Sequence, residues 1–535
     1  MKRLASALGL LLMIVAPVSA TVINVPADYA LINDAVQAAS PGDVVLVAAG
    51  TYTDCTHETE GPGTTPACVI MKSGVTLRGA GVEVTIIDAQ GAGRGIFIEG
   101  RTNCKVENLQ IRGAFAAAYG AGILMRQVGS TVEITDVKVT ACTDGGVVCI
   151  DHASPTLTRL ECSGNAAKQG GGLAIEEFSS PLVLDCTISG NQAPSGAGVF
   201  IRASSNPVLS GCTITGNSID SPYGQGAGIF VGESSPRISN CEITDNTSRG
   251  NGGGVSFQLG SSGLLENCII TGNSVIDAYT YGAGVAVDSS SPVIEGCVIV
   301  NNTCVGVSSD GAGVHTLFSP APTLRYCTIA YNTTSTAGVC GGLMSQWSSN
   351  PTVERCIITN AVSGAGIVCD GGAPIISCSN VFGNPGGNVV CGSSANNISS
   401  DPLFCGGASD LSLQAGSPSL NVCGGPIGAR PYSCGTTAVN TPRPPVELLG
   451  NHPNPFNPST TIVFRLDLPG RADVRIRDLS GRTVATLTLG DLPAGRHEAV
   501  WNGRDESGHA VGSGVYLYEL ESLGTRHTRR MILIK

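Results

Sequence analysis

One short pattern recurs along most of this chain. It reads Pro181-Leu-Val-Leu-Asp-Cys186-Thr-Ile188-Ser-Gly-Asn191, then Pro207-Val-Leu-Ser-Gly-Cys212-Thr-Ile214-Thr-Gly-Asn217, then Pro236-Arg-Ile-Ser-Asn-Cys241-Glu-Ile243-Thr-Asp-Asn246. Units start at 155, 181, 207, 236, 263, 292, 322, 351 and 374, and weaker copies lie near Cys104 and Val132. Between them sits a second block: Gly-Ala-Gly-Val-Phe-Ile (196–201), Gly-Ala-Gly-Ile-Phe-Val (226–231), Gly-Gly-Gly-Val-Ser-Phe (252–257) and Gly-Ala-Gly-Val-Ala-Val (282–287). Each unit holds short alternating strands bounded by Gly, Asn and Ser-Pro, so one strand face points inward and one outward. A unit this short cannot bury a core alone and must stack on its neighbours.

Composition agrees. The 535 residues include 72 Gly and only 13% charged side chains, about half the usual charged fraction. Disordered chains are charged and poor in apolar residues, and the glycines lack the period of three of collagen. Lys2 and Arg3 precede the apolar run Leu4 to Val15, and small residues end it at Val18-Ser19-Ala20. Residues 1–20 therefore read as a secretory signal, too short in its apolar part to span a membrane, and the mature chain is expected to be extracellular, without a transmembrane segment. The whole chain carries −11; residues 21–445 hold 17 basic and 31 acidic side chains, a formal −14. Such a surface repels nucleic acid and anionic membranes.

The repeat resembles the right-handed parallel β-helix, or pectin-lyase-like, superfamily. The opening Ile23-Asn-Val-Pro-Ala-Asp-Tyr29 to Gly50-Thr-Tyr52 looks like the usual start of such proteins. Leu31, Ile32, Ala35, Val36 and Ala39 have the spacing of a short helix that caps the open end. Asp401-Pro-Leu-Phe404, Leu411-Ser-Leu, Gly416-Ser-Pro and Ile427-Gly-Ala are similar to the family's closing coils. The resemblance covers 21–434. A Pro-rich linker follows at 435–446. Residues 447–535 carry Asn451-His-Pro-Asn-Pro-Phe-Asn-Pro-Ser-Thr-Thr461 and Ser513-Gly-Val-Tyr516, and resemble the FlgD-like, immunoglobulin-type domain and the type A sorting domain of type IX secretion. That resemblance implies passage across an outer membrane, with secretion machinery as a partner through 447–535 and attachment at the cell surface. The fold class expected is all-β: a right-handed parallel β-helix solenoid followed by a small immunoglobulin-like β-sandwich.

Seven consecutive units place Cys at one inward slot, 186 to 356. Parallel Cβ vectors disfavour disulfides there, so these thiols are expected to be a buried stack of small hydrophobes. Cys55, Cys68, Cys405, Cys423 and Cys434 are better disulfide candidates, with pairings open. The Asn at 165, 191, 217, 246, 273, 302, 332 and 384 suits a left-handed corner, and its amides could bond from coil to coil.

In pectin-lyase-like enzymes the substrate lies along an exterior parallel sheet. Two outward columns correspond to it here. One runs Leu124, Val148, Ala174, Phe200, Phe230, Ser256, Ala286, His315, Met344, Val368; the next runs Arg126, Ile150, Glu176, Arg202, Gly232, Gln258, Asp288, Leu317, Gln346, Asp370. Stacked Phe200 and Phe230 would platform sugar rings, Glu176 and Arg202 would face each other on adjacent coils, and Trp347 ends a strand. The expected carbohydrate contacts are Glu176, Phe200, Arg202, Phe230, Gln258, Asp288, His315, Gln346, Trp347 and Asp370. Catalytic carboxylates stand ~5–9.5 Å apart in glycosidases. Glu177 and Glu233, two coils apart, come to ~10 Å, and Asp288 and Asp370, three coils apart, to ~14 Å. Asp151-His152 reads as turn chemistry before Ser154-Pro155 rather than a catalytic dyad. No catalytic residue and no metal site is assigned, no cofactor is expected, and Ca²⁺ enters only if the protein is a polysaccharide lyase. The leading expectation is a surface-associated protein that binds polysaccharide or acts in adhesion without catalysis; a lyase or glycoside hydrolase and a structural stalk are the alternatives.

Overall fold

A computed structural model describes residues 20–57, 65–116, 120, 122–318, 321–334, 339–429, 434, 446–466, 470–478, 482–492, 495–522 and 525–534. The signal segment 1–20, except Ala20, and most of the linker 435–446 lie outside the described residues. The chain divides into two compact units, Met1–Ser433 and Cys434–Lys535.

The first unit is a solenoid of parallel strands. One sheet stacks twelve strands, from Ala67–Ile70 through Val199–Ile201 and Ile229–Gly232 to Ala365–Asp370. The in-register pairing Val199↔Ile229, Phe200↔Phe230 and Ile201↔Val231 is typical of it. The unit Pro-x-x-x-x-Cys-x-Ile supplies the two other walls, as in Leu182–Leu184 and Thr187–Ser189, which pair with Val208–Ser210 and Thr213–Thr215 of the next coil. The inward side chains of all walls form one core: Val199, Ile201, Leu209, Cys212 and Ile214 of a single coil are all buried in it. The helix Ile32–Ala38 buries Ile32, Ala35 and Val36 at the N-terminal end. Leu31, at the helix cap rather than within it, stays exposed. Among the described residues no helix is long and apolar enough to cross a membrane.

Two side-chain ladders run along the rod. Cys186, Cys212, Cys241, Cys268, Cys297, Cys327 and Cys356 are free and buried, as their slot requires. Burial pushes the thiols of Cys186 and Cys268 far above their ordinary range, which leaves them unreactive. The asparagines do hydrogen-bond from coil to coil. Asn217 Nδ2 donates to Asn246 Oδ1 at 2.9 Å, and Asn246 Nδ2 to Asn273 Oδ1 at 2.9 Å. They are not, however, the left-handed residues. Positive φ falls one position earlier, at Gly190 (62°), Gly216 (63°), Asp245 (55°) and Gly272 (68°). The turn is made there, which frees each Asn to point inward and accept from the backbone N–H of the coil before. A third ladder, unforeseen, uses the Ser two residues before the start of a repeat unit: Ser205 N donates to Ser234 Oγ, and Ser261 N to Ser290 Oγ.

Disulfides sit toward the two ends. Cys55 pairs with Cys68, Cys369 with Cys391, and Cys378 with Cys423; Cys405 and Cys434 are also disulfide-bonded. The five candidates are thus all oxidised, and Cys369, Cys378 and Cys391 were unforeseen. The closing segment does not simply add coils. Residues from Phe404 to Ile427 fold back over an outer face, where Phe404, Leu411, Leu413, Val422 and Ile427 cover Val298, Val300, Ala330 and Ile357. Arg355 donates to Val422 O and Cys423 O and holds the strap down.

The second unit is an antiparallel sandwich. Val446–His452, Thr460–Leu466 and Gly495–Trp501 form one sheet; Thr483–Leu492, Gly470–Asp478, Gly514–Ser522 and Thr525–Leu533 form the other. Its two sequence motifs meet at Trp501. Phe456 of the Asn-Pro segment lies 5.6 Å from that ring, and Tyr516 of Ser-Gly-Val-Tyr meets it edge-on at 5.2 Å.

Candidate functional site

The twelve-stranded sheet turns its outward columns to two different fates. The first, which holds Phe200 and Phe230, is covered. Phe200 is 1% exposed and Phe230 6%, although their rings do stack at 5.0 Å. The cover is the glycine block itself. Gly196 and Gly226 take φ of 55° and 63°, which lays the loop backbone over the outward face; a Cβ on Gly196 would stand 2.7 Å from that of Phe200. These rings are therefore core, and the sugar platform expected of them is corrected.

His315 shares their fate. It is 1% exposed, its ring stacks 4.5 Å from Tyr281, and neither ring nitrogen has a hydrogen-bond partner among the described residues. Burial drives its pKa down to about 3, against an opposing pull from the nearby Gln346 side chain. The neutral ring is thus native, whereas the unfolded chain takes up a proton near pH 6.5. Stability is fully present above that value and lost as pH falls toward 3, by about 2 kcal/mol at pH 5. His315→Phe should flatten this part of the stability–pH curve, read as urea midpoints between pH 7 and 5; an unchanged slope would count against a buried neutral His315.

The second column reaches solvent at its polar positions, while Ile150, Gly232 and Leu317 are buried. Glu176, Arg202, Gln258, Asp288 and Gln346 are half-buried and Asp370 is exposed. Glu176 and Arg202 do not pair. Arg202 Nε instead meets Glu233 Oε2 at 3.3 Å on the next coil, because Glu233 sits at the turn one residue beyond the column. Burial, then the like charge of Glu177, raises the pKa of Glu176, with Arg202 pulling the other way. Arg126 lies between Glu99 (2.9 Å) and Asp151 (3.3 Å). Asp151 and His152 occupy a left-handed turn, φ 54° and 63°, as expected. The turn brings the side chains together, Nδ1 to Oδ1 at 3.1 Å.

That turn carries the exposed aromatics. Phe178 is 60% exposed, Phe318 55% and Trp347 45%. Phe318 and Trp347, on adjacent coils, approach to 5.1 Å, and Phe178 stacks on His152 at 5.3 Å. Of the residues expected at the site, Trp347 alone lies in this ridge; Phe178, Phe318 and the exposed Leu259 were missed. Reading each column one or two residues further into the turn would have found them. The ridge is a row of exposed apolar faces flanked by hydrogen-bonding side chains: Gln346 Nε2 donates to Asp370 Oδ2 at 2.9 Å, and Ser289 Oγ to Asp288 Oδ1 at 2.8 Å. Among the described residues no three His, Cys, Asp or Glu side chains converge to hold a metal ion.

Stacked parallel coils with buried ladders and a solvent-facing edge define a β-solenoid. The chain belongs to the right-handed β-helix family: the pattern described as "Right handed beta helix region" matches residues 73–236 and 228–401. Residues 450–525 match the FlgD Ig-like domain. Similar solved structures include the A-module of the Azotobacter vinelandii mannuronan C-5 epimerase AlgE4, at 15% identity and TM-score 0.32, over 69% of this chain and 92% of that one. The catalytic domain of a GH87 α-1,3-glucanase in complex with nigerose is 12% identical, TM-score 0.35, over 67% and 69%. A pectin methylesterase from Yersinia enterocolitica is 16% identical, TM-score 0.23, over 50% and 80%. No curated protein matches in sequence.

Proposed function

We propose that this is an exported, cell-surface-associated protein that binds polysaccharide along the exposed ridge without acting on it chemically. The observation that carries the reading is the Phe318–Trp347 pair, two large rings left in water on adjacent coils. Burying such faces against the apolar face of a sugar ring gains free energy, while the neighbouring Gln258, Gln346, Asp288 and Asp370 offer hydrogen bonds to hydroxyl groups. Export rests on the signal pattern of residues 1–20, and surface attachment through the secretion machinery on the sorting-domain resemblance of 447–535. No cofactor is invoked.

A polysaccharide lyase or glycoside hydrolase is the second reading. It is favoured by Glu176, whose carboxyl is shifted in the direction a general acid needs; Ca²⁺ enters only under its lyase form. A glycan array with the full mature protein tests both. Binding with no new chain ends after prolonged incubation is the expected result. Cleavage of a bound glycan would replace binding by catalysis, and binding to none would leave a structural stalk.

A further inference from the structure

The ridge has an electrostatic character that narrows its ligand. Both arginines of the two rows that flank it are already taken, Arg126 by Glu99 and Asp151, and Arg202 by Glu233. Four carboxylates there, Glu176, Glu177, Asp288 and Asp370, have no cation within ion-pair distance among the described residues. They are not gathered in one cluster. Asp288 is three coils from Asp370, and the Phe318 and Trp347 rings stand on the two coils between them. Further along, Glu176 and Glu177 precede Phe178 directly in the chain, and that ring is exposed.

An exposed aromatic face bracketed by uncompensated carboxylates attracts ammonium groups twice over, through the ring quadrupole and through charge. The same edge repels a carboxylated sugar, for which it holds no free guanidinium. We infer that the ridge selects a glycan bearing free amino groups, a polymer of 2-amino sugars, over neutral and uronate polymers. The inference rests on the polysaccharide-binding reading above and specifies it.

The test is a calorimetric titration of the full mature protein at pH 6, where such amines carry charge, with three probes of equal length: a glucosamine oligomer, its N-acetylated form, and an oligogalacturonate. The glucosamine oligomer should bind at least tenfold more tightly than the N-acetylated one, and the uronate should not bind. Raising salt from 50 to 500 mM should weaken the glucosamine complex several-fold, as screening requires. The near-isosteric substitutions Asp288→Asn, at a half-buried position, and Asp370→Asn, at an exposed one, should together lower its affinity about tenfold and leave the unfolding midpoint in place. Equal, salt-independent binding of the amine and acetylated oligomers would overturn the amine preference while polysaccharide binding stood. Tightest binding of the uronate would overturn it outright. Binding of neither these probes nor any arrayed glycan would remove the reading beneath it.

Discussion

Replacing Asn246 with alanine is expected to destabilise the solenoid by about 3 to 5 kcal/mol. Its side-chain oxygen accepts from Asn217 N at 3.0 Å and from Asn217 Nδ2 at 2.9 Å, and its Nδ2 donates to Ile214 O and Asn273 Oδ1. Alanine removes all four bonds and strands two N–H groups of Asn217, which is itself fully buried. Each buried donor left unmade costs about 1–3 kcal/mol, and water cannot easily reach a site in the middle of the ladder. Because each coil touches only its neighbours, the damage should be local. Amide exchange should accelerate most in the coils that hold Asn217, Asn246 and Asn273, with the terminal coils less affected. The exposed Asn206→Ala, which gives up a bond to Ser235 N in reach of water, should cost less than about 1 kcal/mol. Equal costs at the two positions would show that the ladder is not a principal support of the stack.

Much of this was legible in the sequence. The cysteine ladder followed from one invariant slot, and the coil-to-coil amides from the Asn spacing, because stacking in register turns a repeat into a column. What the repeat hid was anything made by chain direction rather than chain spacing. The left-handed residue lies one place before each Asn, a shift that no count of intervals reveals. Phe200 and Phe230 stand outward on their strand, as alternation requires, yet Gly196 and Gly226 bend the preceding loop over them. Alternation specifies which way a side chain leaves the sheet and does not specify what covers it. The ridge was missed for the matching reason: Phe178 and Phe318 lie in the turn, where alternation no longer applies. The strap from Phe404 to Ile427 was legible as a closing segment, but its apolar partners Val298, Val300 and Ile357 are distant in sequence.

The second large effect concerns binding. Phe318→Ala combined with Trp347→Ala should lower the affinity for a bound glycan about a hundredfold, since two exposed aromatic anchors at one contact together contribute about 3 kcal/mol. Both side chains are about half exposed in the free protein, so the unfolding midpoint should move little. Phe200→Leu is the informative contrast. It removes a buried ring from under the glycine block, and should lower stability while leaving glycan affinity within about twofold. If Phe200→Leu weakened binding as much as the ridge substitutions did, the covered column would have to open to ligand.

The chain holds two tryptophans, and this makes the central claim directly measurable. Trp501 is buried in the C-terminal unit, whereas Trp347 is on the ridge. In a Trp501→Phe background, emission comes from Trp347 alone. Titration with a glycan that binds on the array should shift that emission to shorter wavelength and saturate at the calorimetric affinity, as the indole leaves water for a sugar face. Saturable binding by calorimetry with Trp347 emission unchanged would contradict the account, because the polysaccharide would then lie elsewhere on the protein.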